Sequence, residues 1–402
     1  MTRALLKGSL LLLPGAVLLA LAYLFLARAA IMPPAIVGLA DYAPYALAAI
    51  GAAIGWRFNH SNAVIAFLLI VIGHGALTEL PAQSAGRAVD PGTVRAALAI
   101  FLPLNLLYLS WLKDRGVVTA QGRLRLAVIL IQLAGLAFVM WQAPRELAGL
   151  LATKLIPAML PRFAGMPDIG TIAFLVALAA FFVRLLLRLT PRDAGYFGAT
   201  VAVVLAFGGG RLGGAVMFAA ASAILAVAVI QESYRSAFVD ELTALPARRA
   251  LQALLMRLGD RYAIAMVDID HFKKFNDTYG HDVGDHVLRF VGAMLEGVGG
   301  GGKPFRYGGE EFTVVFPGRT VSEVLPHLEA LRRSIAGRPF RLRARDKSRI
   351  KRWSAGIGRK VAVTVSAGVA ERAGDQTPDD VIKEADRALY RAKAKGRNQV
   401  SI

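Results

Sequence analysis

The chain has 402 residues, is 55% hydrophobic and only 19% charged, carries a net charge of +19 and contains no cysteine. A single soluble domain is excluded, because average soluble composition holds about 25% charged residues; the lack of cysteine excludes disulfide frameworks, zinc fingers and thiol nucleophiles. The stretch to Gln231 holds 17 Lys+Arg against 7 Asp+Glu and the remainder 30 against 21. An apolar half therefore precedes an ordinary charged domain. About half of the positive charge flanks apolar segments, so it is read as membrane-surface electrostatics and not as affinity for a nucleic acid polymer.

In chain order, eight apolar runs approach the length of about 17 to 25 residues that crosses a bilayer. They are Leu10–Ala27, Tyr42–Trp56, Ala63–Leu77, Ala96–Leu112, Leu126–Trp141, Thr171–Leu187, Tyr196–Gly208 and Leu212–Ile230. The first has no small-residue cleavage site and is expected to be retained. An even count places both ends of this half on one side, and the loops assigned to that side hold ten cations against seven on the other, which predicts a cytoplasmic C-terminal domain at the inner membrane. Segment Pro144–Gly165 has the alternative of an interfacial helix. Trp56, Trp111 and Trp141 sit at run ends and read as interfacial anchors. His60 and His74 flank the third run fourteen residues apart, too far to share a metal within one helix.

The last run continues through Gln231 to Asp240 without proline or glycine, which predicts a stiff helical rod into the next domain. The expected organisation is a transmembrane region of about eight helices over 1–231, a signalling helix and hinge over 232–246, and a cytoplasmic α/β domain over 247–402. Within that domain the pattern predicts helix Ala247–Leu258, strand Tyr262–Ile269, a short helix after His271, helix Asp282–Leu295, a hairpin at Gly308-Gly309, helix Val321–Ile335, strand Lys360–Val369 and helix Pro378–Lys395. The last helix has Thr377 as N-cap, Pro378 at its first position and Gly396 past its end. The basic stretch Arg338–Lys360 reads as a long exposed hairpin.

Chemistry concentrates at two places. Strand Tyr262–Ile269 is almost wholly apolar yet ends in Asp268-Ile-Asp270, and buried carboxylates need a partner such as a divalent cation. The turn that follows opens a short helix with Lys273 near its start, favourable for phosphate. The second place is Arg306-Tyr-Gly-Gly-Glu-Glu-Phe312, two glycines in a tight turn with Glu310 and Glu311 just past the bend.

Together with Asp240-Glu-Leu-Thr243, Val267-Asp-Ile-Asp-His-Phe-Lys273, Asn276-Asp-Thr-Tyr-Gly-His281, Gly284-Asp285, Val365-Ser-Ala-Gly-Val369 and Ala385 to Asn398, these motifs resemble a GGDEF-domain diguanylate cyclase in its GGEEF variant over about 240–398. The resemblance implies a nucleotidyl-cyclase-like α/β domain with a ferredoxin-like core, behind an all-α polytopic membrane domain. It implies GTP as substrate, cyclic di-GMP as product, Mg2+ or alternatively Mn2+ as cofactor, and a homodimer in which each subunit holds one GTP. By the same resemblance, Asp268, the Ile269 carbonyl and Glu310 bind the metal. Glu310 assists proton removal, with Glu311 beside it in a less defined catalytic role. Asn276 and Asp285 read guanine, and Phe272, Lys273, Lys393 and Arg397 meet the triphosphate, the last two one helical turn apart. Partners would be the lipid bilayer and an unnamed signal acting on the membrane half.

Three departures stand out. Ala244 and Ala247 replace a glycine and an asparagine usual in the family, which bears on hinge geometry, and the basic stretch before Lys360 is an addition. Counting back from the glycine turn, the Arg-x-x-Asp pair of the family's product-inhibition site falls on Gly299 and Gly302, in a loop expected to be mobile. A catalytically silent GGDEF module that binds GTP or cyclic di-GMP, and a transporter with a regulatory tail, are the alternatives.

Overall fold

The computed structural model describes residues 2–83, 91–142, 144–155, 166–341 and 360–402. It divides into two compact units, Met1–Ser233 and Tyr234–Ile402.

The described part of the first unit is helical: α1 (Thr2–Arg28), α2 (Pro34–Leu39), α3 (Ala43–Arg57), α4 (Ser61–Gln83), α5 (Pro91–Trp111), α6 (Ala120–Gln142), α7 (Pro144–Leu151), α8 (Asp168–Arg188), α9 (Pro191–Gly208) and α10 (Gly210–Phe238). Among the described residues six of them, α1, α4, α5, α6, α8 and α10, are long and apolar enough to cross a membrane. Two expected spans fall short of that measure. Helix α3 has only 15 residues, and α9 opens on Arg192 and Asp193. Of the segment given the interfacial alternative, α7 packs on the bundle: Leu151 is buried and, with Leu147, meets Ala96 and Ala97 of α5. Residues 156–165 of that expected segment lie outside the described residues.

One end of this unit is closed by polar side chains. Asp114, in the α5–α6 loop, accepts from the Asn62 amide at 2.9 Å, from Ser61 Oγ at 3.3 Å and from Arg192 at 3.2 Å. The His60 ring lies between Asp114, at 3.5 Å, and Ser233 Oγ of α10, at 3.0 Å. Arg125 donates to Asn62 Oδ1 at 2.7 Å. Burial alone would raise the Asp114 pKa, but the His60 and Arg192 contacts and the Asn62 N–H hold it below the ordinary carboxylate value. His74, at the other end of α4, is buried between the rings of Tyr45 and Phe218, at 5.1 and 5.6 Å.

The second unit contains α11 (Arg248–Leu255), β1 (Tyr262–Ile269), α12 (Phe272–Tyr279), α13 (His281–Glu296), β2 (Lys303–Gly308), β3 (Glu311–Pro317), α14 (Val321–Gly337), β4 (Phe340–Arg341), β5 (Lys360–Val361), β6 (Val365–Glu371), α15 (Pro378–Ala394) and β7 (Val400–Ser401). The main sheet runs β2-β3-β1-β6-β7, antiparallel apart from the parallel β6–β7 pair. Its first four strands follow the βαββαβ order of a ferredoxin-like core.

Strand β1 is buried along its whole length, which explains its unbroken apolar run. Ala263, Ala265, Val267 and Ile269 join the core beneath α13 and α14. Tyr262, Ile264 and Met266 join the core beneath α15 on the other face. By the two-residue period of a strand, Asp268 belongs to the α15 side. Helix α15 lies close against the sheet because β6 has glycine at its contact point: a Cβ on Gly368 would stand 1.9 Å from the Leu389 nitrogen.

The expected strand Lys360–Val369 is in fact two pieces separated at 362–364. Lys360–Val361 pairs with Phe340–Arg341 in a separate two-stranded sheet, whereas β6 belongs to the main sheet, where the Thr364 carbonyl still accepts from the Asp270 amide at 3.0 Å and its hydroxyl donates to the Asp270 carboxylate at 2.7 Å. The ends of the expected basic hairpin do pair, Phe340 with Val361, while its body lies outside the described residues.

The turn after Asp240 carries Ala244 at φ +60. This left-handed conformation crowds a Cβ and is one that glycine adopts freely. Ala244→Gly is expected to stabilise the C-terminal unit by about 0.5–1 kcal/mol, the left-handed strain less the entropy that glycine adds to the unfolded chain. Unfolding of the detergent-solubilised chain checks this; a lower midpoint for that unit would contradict it.

Candidate functional site

Asp268, one residue before the end of β1, is 3% exposed, and in the β1–β3 register it stands opposite Glu311. The β2–β3 hairpin pairs Gly308 with Glu311, so its two-residue loop is Gly309-Glu310, with Gly309 at φ +41. Glu310 is therefore in the bend and not past it. Its carbonyl accepts from the Ile269 amide at 3.4 Å, which joins the end of β1 to the turn.

Three carboxylates thus meet at the ends of two neighbouring strands. Burial pushes the Asp268 carboxyl up, against the hydrogen bond and charge of Lys393. Glu310 is raised by burial and then by the charge of Asp268, and Glu311 by burial, Asp268 and Asp386. Lys393 Nζ reaches Asp268 Oδ2 at 2.9 Å, while the charges of Arg397 and Arg248 act on Asp268 and Glu311 respectively from farther away. Among the described residues no set of three or more His, Asp or Glu side chains closes into a metal cage. The donor set still fits Mg2+, which is usually held by one or two carboxylates with waters and substrate phosphates completing its shell.

Next to this corner, His271 in the left-handed conformation caps α12, turning the chain so that Phe272 is buried while Lys273 is exposed. Asn276 of α12 lies against α13 at Gly284, where a Cβ would stand 1.8 Å from Asn276 Oδ1. That oxygen is buried and makes no hydrogen bond. Asp285 is the next residue along α13, so the helix corner brings an amide with an unused acceptor to the neighbourhood of a half-buried carboxylate.

Lys393 and Arg397 lie on either side of the helix end expected at Gly396. Helix α15 ends at Ala394, and Arg397 follows Gly396 (φ +108) in a left-handed turn at φ +64. Its amide donates to the Ala392 carbonyl at 3.1 Å.

One residue of the glycine-turn motif carries more than the sequence reading gave it. Arg306 donates through Nη1 to Asp240 Oδ1 at 2.7 Å and through Nη2 to the Gly309 carbonyl at 2.8 Å. Asp240 Oδ1 also accepts from the Thr243 amide and hydroxyl at 2.8 and 2.7 Å. A single guanidinium therefore joins the Asp240–Thr243 turn to the loop that holds Glu310. Burial would raise the Asp240 pKa, but the hydrogen bonds from Thr243 and Arg306 hold it low. The signal available beforehand was an arginine and an aspartate in two separate motifs, 66 residues apart; pairing them needs the β2 register.

Residues 237–399 match the family model described as "Diguanylate cyclase, GGDEF domain". The C-terminal unit carries a GGDEF domain. Over 181 residues, 42% of this chain, the sequence is 39% identical to the response regulator PleD of Caulobacter vibrioides, of which it covers 37%. It is 34% identical to diguanylate cyclase DgcP of Pseudomonas aeruginosa, covering 43% of this chain and 25% of that protein, and 35% identical to diguanylate cyclase VdcA of Vibrio cholerae, covering 41% and 47%. The chain thus spans less than half the length of these curated relatives. Among solved structures, the coiled coil and GGDEF domain of DgcB from Caulobacter crescentus in complex with c-di-GMP is 36% identical. That likeness covers 43% of this chain and 88% of that one, with a TM-score of 0.38.

The raised carboxylates set a sign for pH. A cation must displace protons from Asp268, Glu310 and Glu311, and raised pKa values mean that protons compete at higher pH than at ordinary carboxylates. Mn2+ is therefore expected to raise the thermal midpoint of the C-terminal unit more at pH 7.5 than at pH 5. Without metal, the same shifts make the unit gain stability as pH falls through the raised values, since protonation relieves the buried charge. Equal Mn2+ shifts at both pH values would contradict a cation site on these groups.

Proposed function

We propose that the chain is a membrane-embedded diguanylate cyclase that condenses two GTP into cyclic di-GMP and two pyrophosphates. The observation that carries this reading is the buried Asp268 beside Glu310, Glu311 and Lys393, with the Asn276–Asp285 corner alongside, on the domain matched over 237–399.

In this reading Asp268, the Ile269 carbonyl and Glu310 hold Mg2+, with Mn2+ as the alternative; the bound ion neutralises the triphosphate and polarises the reacting oxygens. Asn276 and Asp285 present an acceptor and a carboxylate to guanine, a base with ring and amino N–H donors on its pairing edge. Phe272 and Lys273 at the start of α12, with Lys393 and Arg397, hold the triphosphate. The 3′-oxygen of one GTP attacks the α-phosphorus of the other as the bond to pyrophosphate breaks, and the hydroxyl proton passes to Glu310. Each nucleotide supplies a nucleophile to the other, so two subunits must meet face to face, and a homodimer is the catalytic form.

The first unit is assigned to the cell inner membrane with the cyclase domain cytoplasmic. With the eight expected spans the count is even and both ends of the unit fall on the side that holds ten cations against seven. Regulation is assigned to α10, which is one helix from Gly210 to Phe238 and ends two residues before Asp240, the partner of Arg306.

Glu310→Gln is expected to keep the fold and lower cyclic di-GMP synthesis by about 100-fold or more, the scale of losing a preorganised electrostatic group. Product formation by the solubilised chain with GTP and Mg2+ is the measurement, and turnover like that of the wild type would refute the assignment.

Feedback is the second expectation. The loop that replaces the family's inhibitory pair is packed and does not hang free: a Cβ on Gly299 would stand 2.7 Å from His327 Nδ1, and one on Gly302 within 2.9 Å of Val298, Val314 and Phe316 side chains. No guanidinium or carboxylate is available there for bidentate recognition of a nucleotide. Initial rates are expected to be unchanged by cyclic di-GMP at concentrations far below that of GTP. Strong inhibition in that range would show that the loop, or another surface, still binds product.

A further inference from the structure

Asp270 lies one residue beyond β1 and gathers three donors. Thr364 Oγ1 and Ser366 Oγ each donate at 2.7 Å, and the Asn398 amide donates at 3.1 Å. Ser366 is fully buried on β6, so the carboxylate is fixed from the sheet side and its last lone pairs serve the C-terminal turn. That turn is conformationally costly. Gly396, Arg397 and Asn398 all have positive φ, at +108, +64 and +45, and the last two carry a Cβ that this region crowds. Such a backbone persists only where its surroundings over-determine it.

The surroundings do so from several directions. Arg332 of α14 donates to Asn398 Oδ1 at 2.8 Å, the Arg397 amide donates to Ala392, and the Gln399 carbonyl accepts from the Ala367 amide at 3.0 Å. Every one of these bonds holds backbone or Asn398. The Arg397 guanidinium itself is exposed and makes no hydrogen bond or ion pair among the described residues. A strained turn held on all sides, displaying one free guanidinium near Asp268, is the geometry of a side chain aimed at something outside the protein.

We infer that Asp270 is a positioning residue, whose carboxylate, seated on Thr364 and Ser366, fixes the left-handed Arg397–Asn398 turn and so sets where Arg397 meets the substrate triphosphate. The inference rests on the cyclase reading for what Arg397 touches. It also explains why Asp268 and Asp270 stand together at the end of one strand: the first belongs to the cation site and the second aims the cation of the C-terminal turn at the same phosphates.

The test is a double-mutant cycle on the full solubilised chain, measuring KM and kcat for GTP in wild type, Asp270→Ala, Arg397→Ala and the double variant. Asp270→Ala is expected to raise KM about 10-fold with a smaller change in kcat, the scale of one charge-assisted contact. In the Arg397→Ala background it is expected to add almost nothing, because the two act through one contact. If Asp270→Ala does not fold, Asp270→Asn keeps one acceptor oxygen for the Asn398 amide and is expected to show an intermediate KM with the same non-additivity. Additive effects on KM, or a loss of kcat equal in both backgrounds, would overturn the positioning role while leaving the cyclase reading intact. Absence of any cyclic di-GMP from the wild type would overturn the cyclase reading, and this inference with it.

Discussion

A carboxylate at 3% exposure at the end of a strand buried on both faces is the constraint around which the C-terminal unit is arranged. Charge in a low-dielectric interior is costly unless it is compensated, and Asp268 faces two further carboxylates with one lysine against it. Nearby packing choices supply that compensation. Gly368 lets α15 approach β6 closely enough to bring Lys393 within 2.9 Å, and the tight Gly309-Glu310 loop holds Glu310 beside Asp268. The lysine is insufficient, since the Asp268 pKa remains raised. That shortfall of positive charge is the ground on which a divalent cation is proposed for this corner.

The same corner is tied to the start of the unit through Arg306. Its two hydrogen bonds reach Asp240 on one side and Gly309 on the other, so a displacement at Asp240 cannot occur without breaking a charge-assisted bond or moving the loop that carries Glu310. Asp240 follows α10 by two residues, and in the first unit the same helix is held at Ser233 by His60. Both contacts lie within eight residues of one another along the chain.

Much of the C-terminal fold was legible because its signals are local. Strand Tyr262–Ile269 was readable to both ends, since a run buried on both faces has no polar interruption and stops where the carboxylates begin. The last helix was readable from Thr377, Pro378 and Gly396. The strand before it was not, because Lys360–Val361 leaves the main sheet to pair with Phe340–Arg341, and such a choice of partner leaves no periodic trace. Lys393 and Arg397 are spaced like one helical turn, but the helix stops before Gly396, and the left-handed backbone of Arg397 is not legible from spacing. In the membrane half, apolar runs were found readily while their lengths were not, since α3 and α9 are as apolar at their centres as the six longer helices and differ only at their ends.

Those helix ends are where the membrane half holds its polar chemistry. Asp114 binds the start of α4 through Ser61 and Asn62 and the start of α9 through Arg192, while His60 carries the connection on to α10 at Ser233. Its low pKa keeps it ionised, so the attraction that gathers these segments is present throughout the neutral range. Polar bonds away from water reinforce one another and are expensive to leave half made. Removing one member therefore exposes the others to the full cost of an unsatisfied group, and the helix starts at this end respond together. The end of α10 shares that constraint through a single hydroxyl, while the body of the helix, from Gly213 to Val229, is held by its buried apolar face.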